Sequence, residues 1–176
     1  MPESNAVRRW SAVLQVLATV AMALLAVTVA LALLVFDLPQ ALREAAGLEP
    51  GAQIVPATRF AAAAVGAVPV LATIYALGHM SALFGLYAKG ETLTPPCARH
   101  IRRIGAGLLA VAALQFLTRP AQVALVSLAN PPGERVLAIS LGSADWALVL
   151  AGGLLLTIGW VMGEAARIAE DHQAIV

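Results

Sequence analysis

Between Arg9 and Asp37 the chain runs for 27 residues, Trp10 to Phe36, without a formal charge. An α-helix rises about 1.5 Å per residue, so about 20 residues cross a hydrocarbon core of about 30 Å. The run is therefore predicted to be a membrane span. A second uncharged run of 29 residues, Phe60 to Ala88, lies between Arg59 and Lys89. Its Pro69 removes one backbone donor and crowds the preceding turn, which membrane helices tolerate when neighbours satisfy the freed carbonyl. A kink after Gly66 is expected.

The third apolar stretch starts at Ile104, and only 15 uncharged residues precede Arg119 and Pro120. Extended to about Ala124 it reaches spanning length, with Arg119 about one turn from the far end, where a long side chain snorkels to the headgroups. Trp146 to Gly163 supplies 18 more uncharged residues before Glu164. Composition agrees: 60% of the 176 residues are in the set AVILMFWYC and 12% are charged. The predicted fold is all-α, a single four-span membrane domain forming a four-helix bundle. Its spans are about 10–36, 60–88, 104–124 and 146–163, with a loop at 89–103 and a tail at 164–176.

Lys and Arg are retained on the cytoplasmic side of a membrane. Arg8, Arg9, Lys89, Arg99, Arg102, Arg103 and Arg167 fall on one side of the predicted topology, whereas Arg43, Arg59 and Arg135 fall on the other. Both termini are predicted to be cytoplasmic, in a multi-pass membrane protein. The first run is too long for the apolar part of a cleaved signal peptide, which is about 7 to 15 residues, so it is read as a retained anchor.

The function classes narrow from the same inventory. A net charge of +1 offers no field for direct nucleic-acid binding. The single Cys97 excludes an internal disulfide framework and a cysteine-only zinc site. There is no GxSxG, HExxH, Walker loop or CxxC, and no carboxylate lies deep in a span. No enzyme activity and no cofactor or metal are expected. The outer loops, 37–59 and 130–145, are too short for a domain. Within them Gln40 to Ala46 has room for two helical turns, Asn130-Pro131-Pro132-Gly133 is a turn signal, and Val136 to Leu141 reads as a short strand or partly inserted segment.

Thr94-Pro95-Pro96 reads as a helix start, with Thr94 as N-cap and Pro95 in the first turn, running directly into span three. Arg99, Arg102 and Arg103 then fall at i, i+3 and i+4 and form one basic face at the membrane surface. That face either meets anionic lipid headgroups or pairs with the acidic residues Glu164, Glu170 and Asp171 of the tail, a clasp on which a cytosolic partner would act. Ser11, Gln15 and Thr19 make a polar stripe on span one, and Gln115, Thr118, Arg119 and Gln122 make one on span three. Polar stripes in lipid serve helix packing by default, with a polar pathway as the alternative. Asp145 is the first-choice counter-ion for Arg119 and Asp37 the second. His79, one turn after Tyr75 and beside Met80, reads as a hydrogen-bonded structural histidine, with His100 and His172 assigned to loop and tail. Gly159 and Gly163 form a GxxxG read as internal packing.

The stretch Leu86-Tyr87-Ala88-Lys89-Gly90-Glu91-Thr92-Leu93-Thr94, followed by Arg102-Arg103-Ile104-Gly105, resembles the bacterial four-span membrane proteins grouped as domain of unknown function 2975. The tail Glu164-Ala165-Ala166-Arg167-Ile168-Ala169-Glu170-Asp171 is similar to the glutamate-rich helix that ends those proteins. The likeness runs from about Tyr87 onward. It departs at Leu93, where the family commonly has an aromatic, and at Asp171-His172, near which the family has a Glu-Asn pair. The resemblance implies a four-span fold and membrane location, and a cytosolic helix-turn-helix regulator as partner. The expected function is a non-enzymatic membrane protein acting through its cytoplasmic loop and tail. The alternatives are a small transporter or channel component around Arg119, as a homo-oligomer, and a structural subunit assembled with other membrane subunits.

Overall fold

A computed structural model describes residues 2–35, 39–48, 54–92, 94–131, 133–137, 139 and 142–173, with backbone alone for 2–7, 35 and 169–173. Five helices account for nearly all of it: α1 (Pro2–Val35), α2 (Gln40–Ala45), α3 (Pro56–Ala88), α4 (Pro95–Ser127) and α5 (Ser143–Gln173). Four of them are long and apolar enough to cross a membrane, and the protein is an integral membrane protein by that measure. Among the described residues there is no strand; in the segment expected as one, Val136, Leu137 and Ile139 have irregular backbone.

The helix starts follow from proline. Pro56 and Pro95 sit in the first turns of α3 and α4, where a missing N–H costs nothing. Thr94 is the N-cap of α4, with extended backbone, but its hydroxyl makes no cap hydrogen bond. It donates instead to Cys97 Sγ at 3.3 Å, and the thiol donates to the Glu91 carbonyl at 3.2 Å. At the other side of this loop α3 closes through Gly90, at φ +88°, with the Glu91 N–H returning to the Leu86 carbonyl. A left-handed glycine just past the last helical residues is the usual way to end a helix. The short loop 89–94 thus turns α3 back into α4. Helix α3 remains helical through Pro69.

Helices α3 and α4 form the central hairpin; α1 packs on α3, and α5 packs on α4. Among the described residues the backbone of α1 does not approach that of α4 or α5, nor does the backbone of α3 approach that of α5. The bundle is therefore open, a row in the order α1, α3, α4, α5. Small residues set the spacing. A Cβ on Gly105 would lie 2.7 Å from the Gly152 carbonyl oxygen, and one on Gly152 would lie 2.9 Å from that of Gly105. At this crossing backbone meets backbone, as small residues allow between membrane helices.

Two clusters hold the ends. Leu83, Cys97, Ile101 and Ile104 are buried beside the α3–α4 loop, with Leu86, Tyr87, Leu155 and Met162 packed on them. At the opposite end Ala46, Ile54, Ala62, Val123 and Val126 bury together under Leu42 and Leu48. There Asn130 Nδ2 donates to the carbonyls of Ala46 and Glu134, and Ser127 Oγ donates to that of Val136. Helix α2 and the two loops consequently form a cap over the α3–α4 end.

Candidate functional site

Three polar groups interrupt the apolar row. The first lies where α1 ends its approach to the loop end of the hairpin. Arg8 Nε donates to the Ala88 carbonyl at 3.0 Å, satisfying one of the orphan acceptors at the end of α3. Deeper in the row, Ser11 is buried, Gln15 lies against Gly85 and Thr19 Oγ1 is 3.1 Å from Ser81 Oγ. The stripe on α1 faces α3 and joins the two helices.

At the same end the first turns of α4 carry Arg99, Arg102 and Arg103. Arg99 and Arg102 line a cleft of about 450 Å³ between α4 and α5, closed by Pro95, Ala98, Trp160, Gly163 and Glu164. The space exists because α5 is bare opposite α4: a Cβ on Gly159 would lie 2.5 Å from Arg102 Cγ, and one on Gly163 would lie 3.7 Å from Ala98 Cβ. The GxxxG is thus occupied within the molecule. Among the described residues none of the three arginines forms an ion pair, and Glu164 pairs with Arg167, one turn along α5, at 3.7 Å. The expected clasp between the basic face and Glu164 is not formed. The carboxylate has a guanidinium on its own helix, and the Arg102 stem is laid over Gly159. The side chains of Glu170 and Asp171 lie outside the described residues.

The second group joins α3 to α4. His100 lies on the early turns of α4, in the helix expected to start at Thr94, and its Nδ1 is 3.1 Å from that of His79 on α3. Since two imidazoles at this distance share one proton between them, one ring donates and the other accepts. Tyr75 meets His79 edge-on, with ring centroids 4.6 Å apart. The pair is a cross-link of the hairpin. Among the described residues no three His, Cys, Asp or Glu side chains gather as a metal site would require.

The third group lies toward the capped end. Arg119 sits two turns before the end of α4, since the helix runs to Ser127 rather than stopping near Ala124. It need not reach the headgroups for a partner. Nη1 donates to Asp145 Oδ2 at 2.9 Å, and Nη2 donates to Gln115 Oε1 at 2.6 Å. Asp145 Oδ2 also accepts the Gly142 N–H at 2.8 Å, an arrangement that fixes the start of α5. The carboxylate side chain is 6% exposed and the arginine side chain 43%. Asp145 Oδ1 is buried with no hydrogen-bond partner among the described residues. Asp37 lies outside the described residues.

The polar stripe of α4 divides between its two neighbours. Arg119, held by Gln115, reaches Asp145 at the start of α5, whereas Gln122 Nε2 crosses to the Ala62 carbonyl on α3 at 2.9 Å. Gln122 also fills the place that a Cβ on Gly66 would take. Thr118 is buried and returns its hydroxyl to the Leu114 carbonyl at 2.8 Å. No continuous polar face runs along α4.

Sequence reasoning placed His79 and Arg119 in predicted spans and missed the His79–His100 contact. Hairpin register alone does not give it: the pairing of Ala76 with Gly107 sets His79 opposite Ile104, and His100 lies about one turn nearer the loop. Comparison with family models, with curated proteins and with solved structures finds no match to this chain.

Proposed function

We propose that this chain is a non-enzymatic integral membrane protein of a bacterial inner membrane, with both termini cytoplasmic, that works through the surface made by loop 89–94, the first turns of α4 and the end of α5. The observation that carries the reading is the contrast between the two ends. Arg119, near the capped end, is neutralised by Asp145 at 2.9 Å, while Arg99, Arg102 and Arg103 stand without a carboxylate partner among the described residues. Charge left unpaired beside a membrane is available to something outside the chain. The bias of basic residues toward that end supports its cytoplasmic placement. The resemblance of Leu86 to Thr94 to the four-span family supports a cytosolic helix-turn-helix regulator as the partner.

The test is affinity purification in mild detergent with mass spectrometry of everything retained. A soluble protein held by the parent chain and released when Arg99, Arg102 and Arg103 become Gln supports the reading. Recovery of the chain with no soluble protein counts against it.

A second reading has its own observation. Among the described residues the backbones of α1 and α5 each lie close to a single spanning neighbour, which leaves flanks for a further membrane subunit or a second copy. An intact mass above that of one chain, retained in mild detergent, would support it. A transport path around Arg119 has less behind it, since the guanidinium is already bonded to Asp145 and Gln115.

A further inference from the structure

The cleft between α4 and α5 does not end at the arginines. On the other side of the same side chains a second cleft, about 310 Å³, is lined by Arg99, Arg102, Arg103, Ala106, Leu156 and Trp160. The two clefts share Arg99, Arg102 and Trp160. The first faces the polar end of the helices, with Pro95 and Glu164. The second descends one turn along both helices to Ala106 and Leu156, toward the apolar part of the row. A basic mouth therefore opens into an apolar furrow, with an exposed tryptophan on its edge.

We propose that this paired cleft is a binding site for an anionic phospholipid, with its phosphate held by Arg99 and Arg102 and an acyl chain lying along Ala106 and Leu156. Three features select that occupant. The guanidinium groups are unpaired within the described residues, so an anion meets no competing ion pair. Arginine holds phosphate oxygens through two parallel N–H donors. The furrow below matches a hydrocarbon chain and has no use for a free phosphate ion, while an exposed tryptophan at this level is the side chain enriched where headgroups meet hydrocarbon. Gly159 is what makes the geometry feasible, because a side chain there would displace the Arg102 stem. The site needs only membrane insertion of the four helices, and because Arg99 and Arg102 also belong to the surface proposed for a protein partner, it is tested on the purified chain alone.

The experiment uses the purified full chain in nanodiscs of phosphatidylcholine, to which phosphatidylglycerol is added stepwise, with bound lipid counted by native mass spectrometry after release. The expected result is selective retention of one phosphatidylglycerol over phosphatidylcholine. A basic residue at a membrane surface contributes about a fivefold preference for anionic lipid, so R99Q/R102Q together are expected to reduce it about 30-fold. Arg9→Gln, at the same end but outside both clefts, is expected to leave retention unchanged. Ala106→Trp keeps every charge and fills the furrow, and it is expected to abolish retention as well; a monodisperse elution profile establishes that each variant is folded. Equal retention of the two lipids by the parent chain would overturn the proposal. So would full retention in Ala106→Trp, or displacement of the lipid by millimolar inorganic phosphate, which would mean a site for the free anion.

Discussion

Arg119 and Asp145 form the one described ion pair that joins two of the spanning helices, and they do not contribute equally to it. The carboxylate is almost wholly buried and the guanidinium is nearly half exposed. Removing a partner from a buried charge costs about 3–5 kcal/mol, whereas exposed pairs contribute about 0–1 kcal/mol. Arg119→Leu, which leaves Asp145 buried and uncompensated, is therefore expected to destabilise the protein by about 2–3 kcal/mol, between those limits. Asp145→Asn, which leaves a charge with access to polar surroundings and to Gln115, is expected to cost less. Adding Asp145→Leu to Arg119→Leu should restore part of the loss, and melting in detergent through the full double-mutant cycle measures the coupling. Equal losses for the two single variants would contradict the asymmetry.

Residue by residue, legibility in the sequence followed charge. Asp145 is close to Arg119 because α5 begins beside the turn of α4 that carries the arginine, and charge economy in a membrane points to that pairing from the sequence. Gln122 was less legible. Arg119 of the same stripe turns toward α5, whereas the bare Gly66 on α3 gives Gln122 its place. The partner that decides its direction is the absence of a side chain, which carries no hydropathy signal.

At the scale of helices, the row depends on places where a helix has no side chain. The Gly105–Gly152 crossing puts carbonyl oxygens where a Cβ would stand. Overpacking costs about 1–3 kcal/mol when neighbours can adjust, and backbone adjusts least. Gly105→Ala is expected to fall at the upper part of that range and to loosen α5 from α4, measured as loss of a disulfide between cysteines placed at this crossing in a C97S background. Gly66→Ala is expected to cost less, because the obstructing group is the end of a flexible Gln122 side chain. Combining it with Gln122→Ala should recover much of the loss. The number of long helices followed from charge-free runs and the start of α4 from Pro95, whereas α3 begins at Pro56 and α4 ends at Ser127, outside the uncharged stretches. The order in which the helices touch did not follow from either, since lipid-facing and helix-facing surfaces here are equally apolar.

At the scale of the whole molecule, the two ends differ in kind. One is a tied cap in which α2 and the outer loops bond to each other through Asn130 and Ser127. The other is a basic rim. Cytoplasmic placement of that rim is expected to show as labelling of a cysteine at position 135 by an impermeant maleimide in intact cells, with a cysteine at position 91 labelled only after lysis, both in a C97S background. The opposite pattern would invert the topology. Span count was legible in the sequence, whereas the open shape was not, because a hydropathy profile has no record of which helix lies next to which.

A row has a property that a ring lacks: it can be cut once without exposing a shared interior. Among the described residues helix α1 leans on α3 alone and α5 on α4 alone, so the α3–α4 hairpin is the part on which both outer spanning helices depend. During synthesis α1 has no neighbour until α3 enters the membrane, and the hairpin is complete before α5 exists. Two polypeptides divided in the loop between α4 and α5 should accordingly find each other in the bilayer and rebuild the Arg119–Asp145 junction, while a division within loop 89–94 would sever the hairpin on which both outer helices rest.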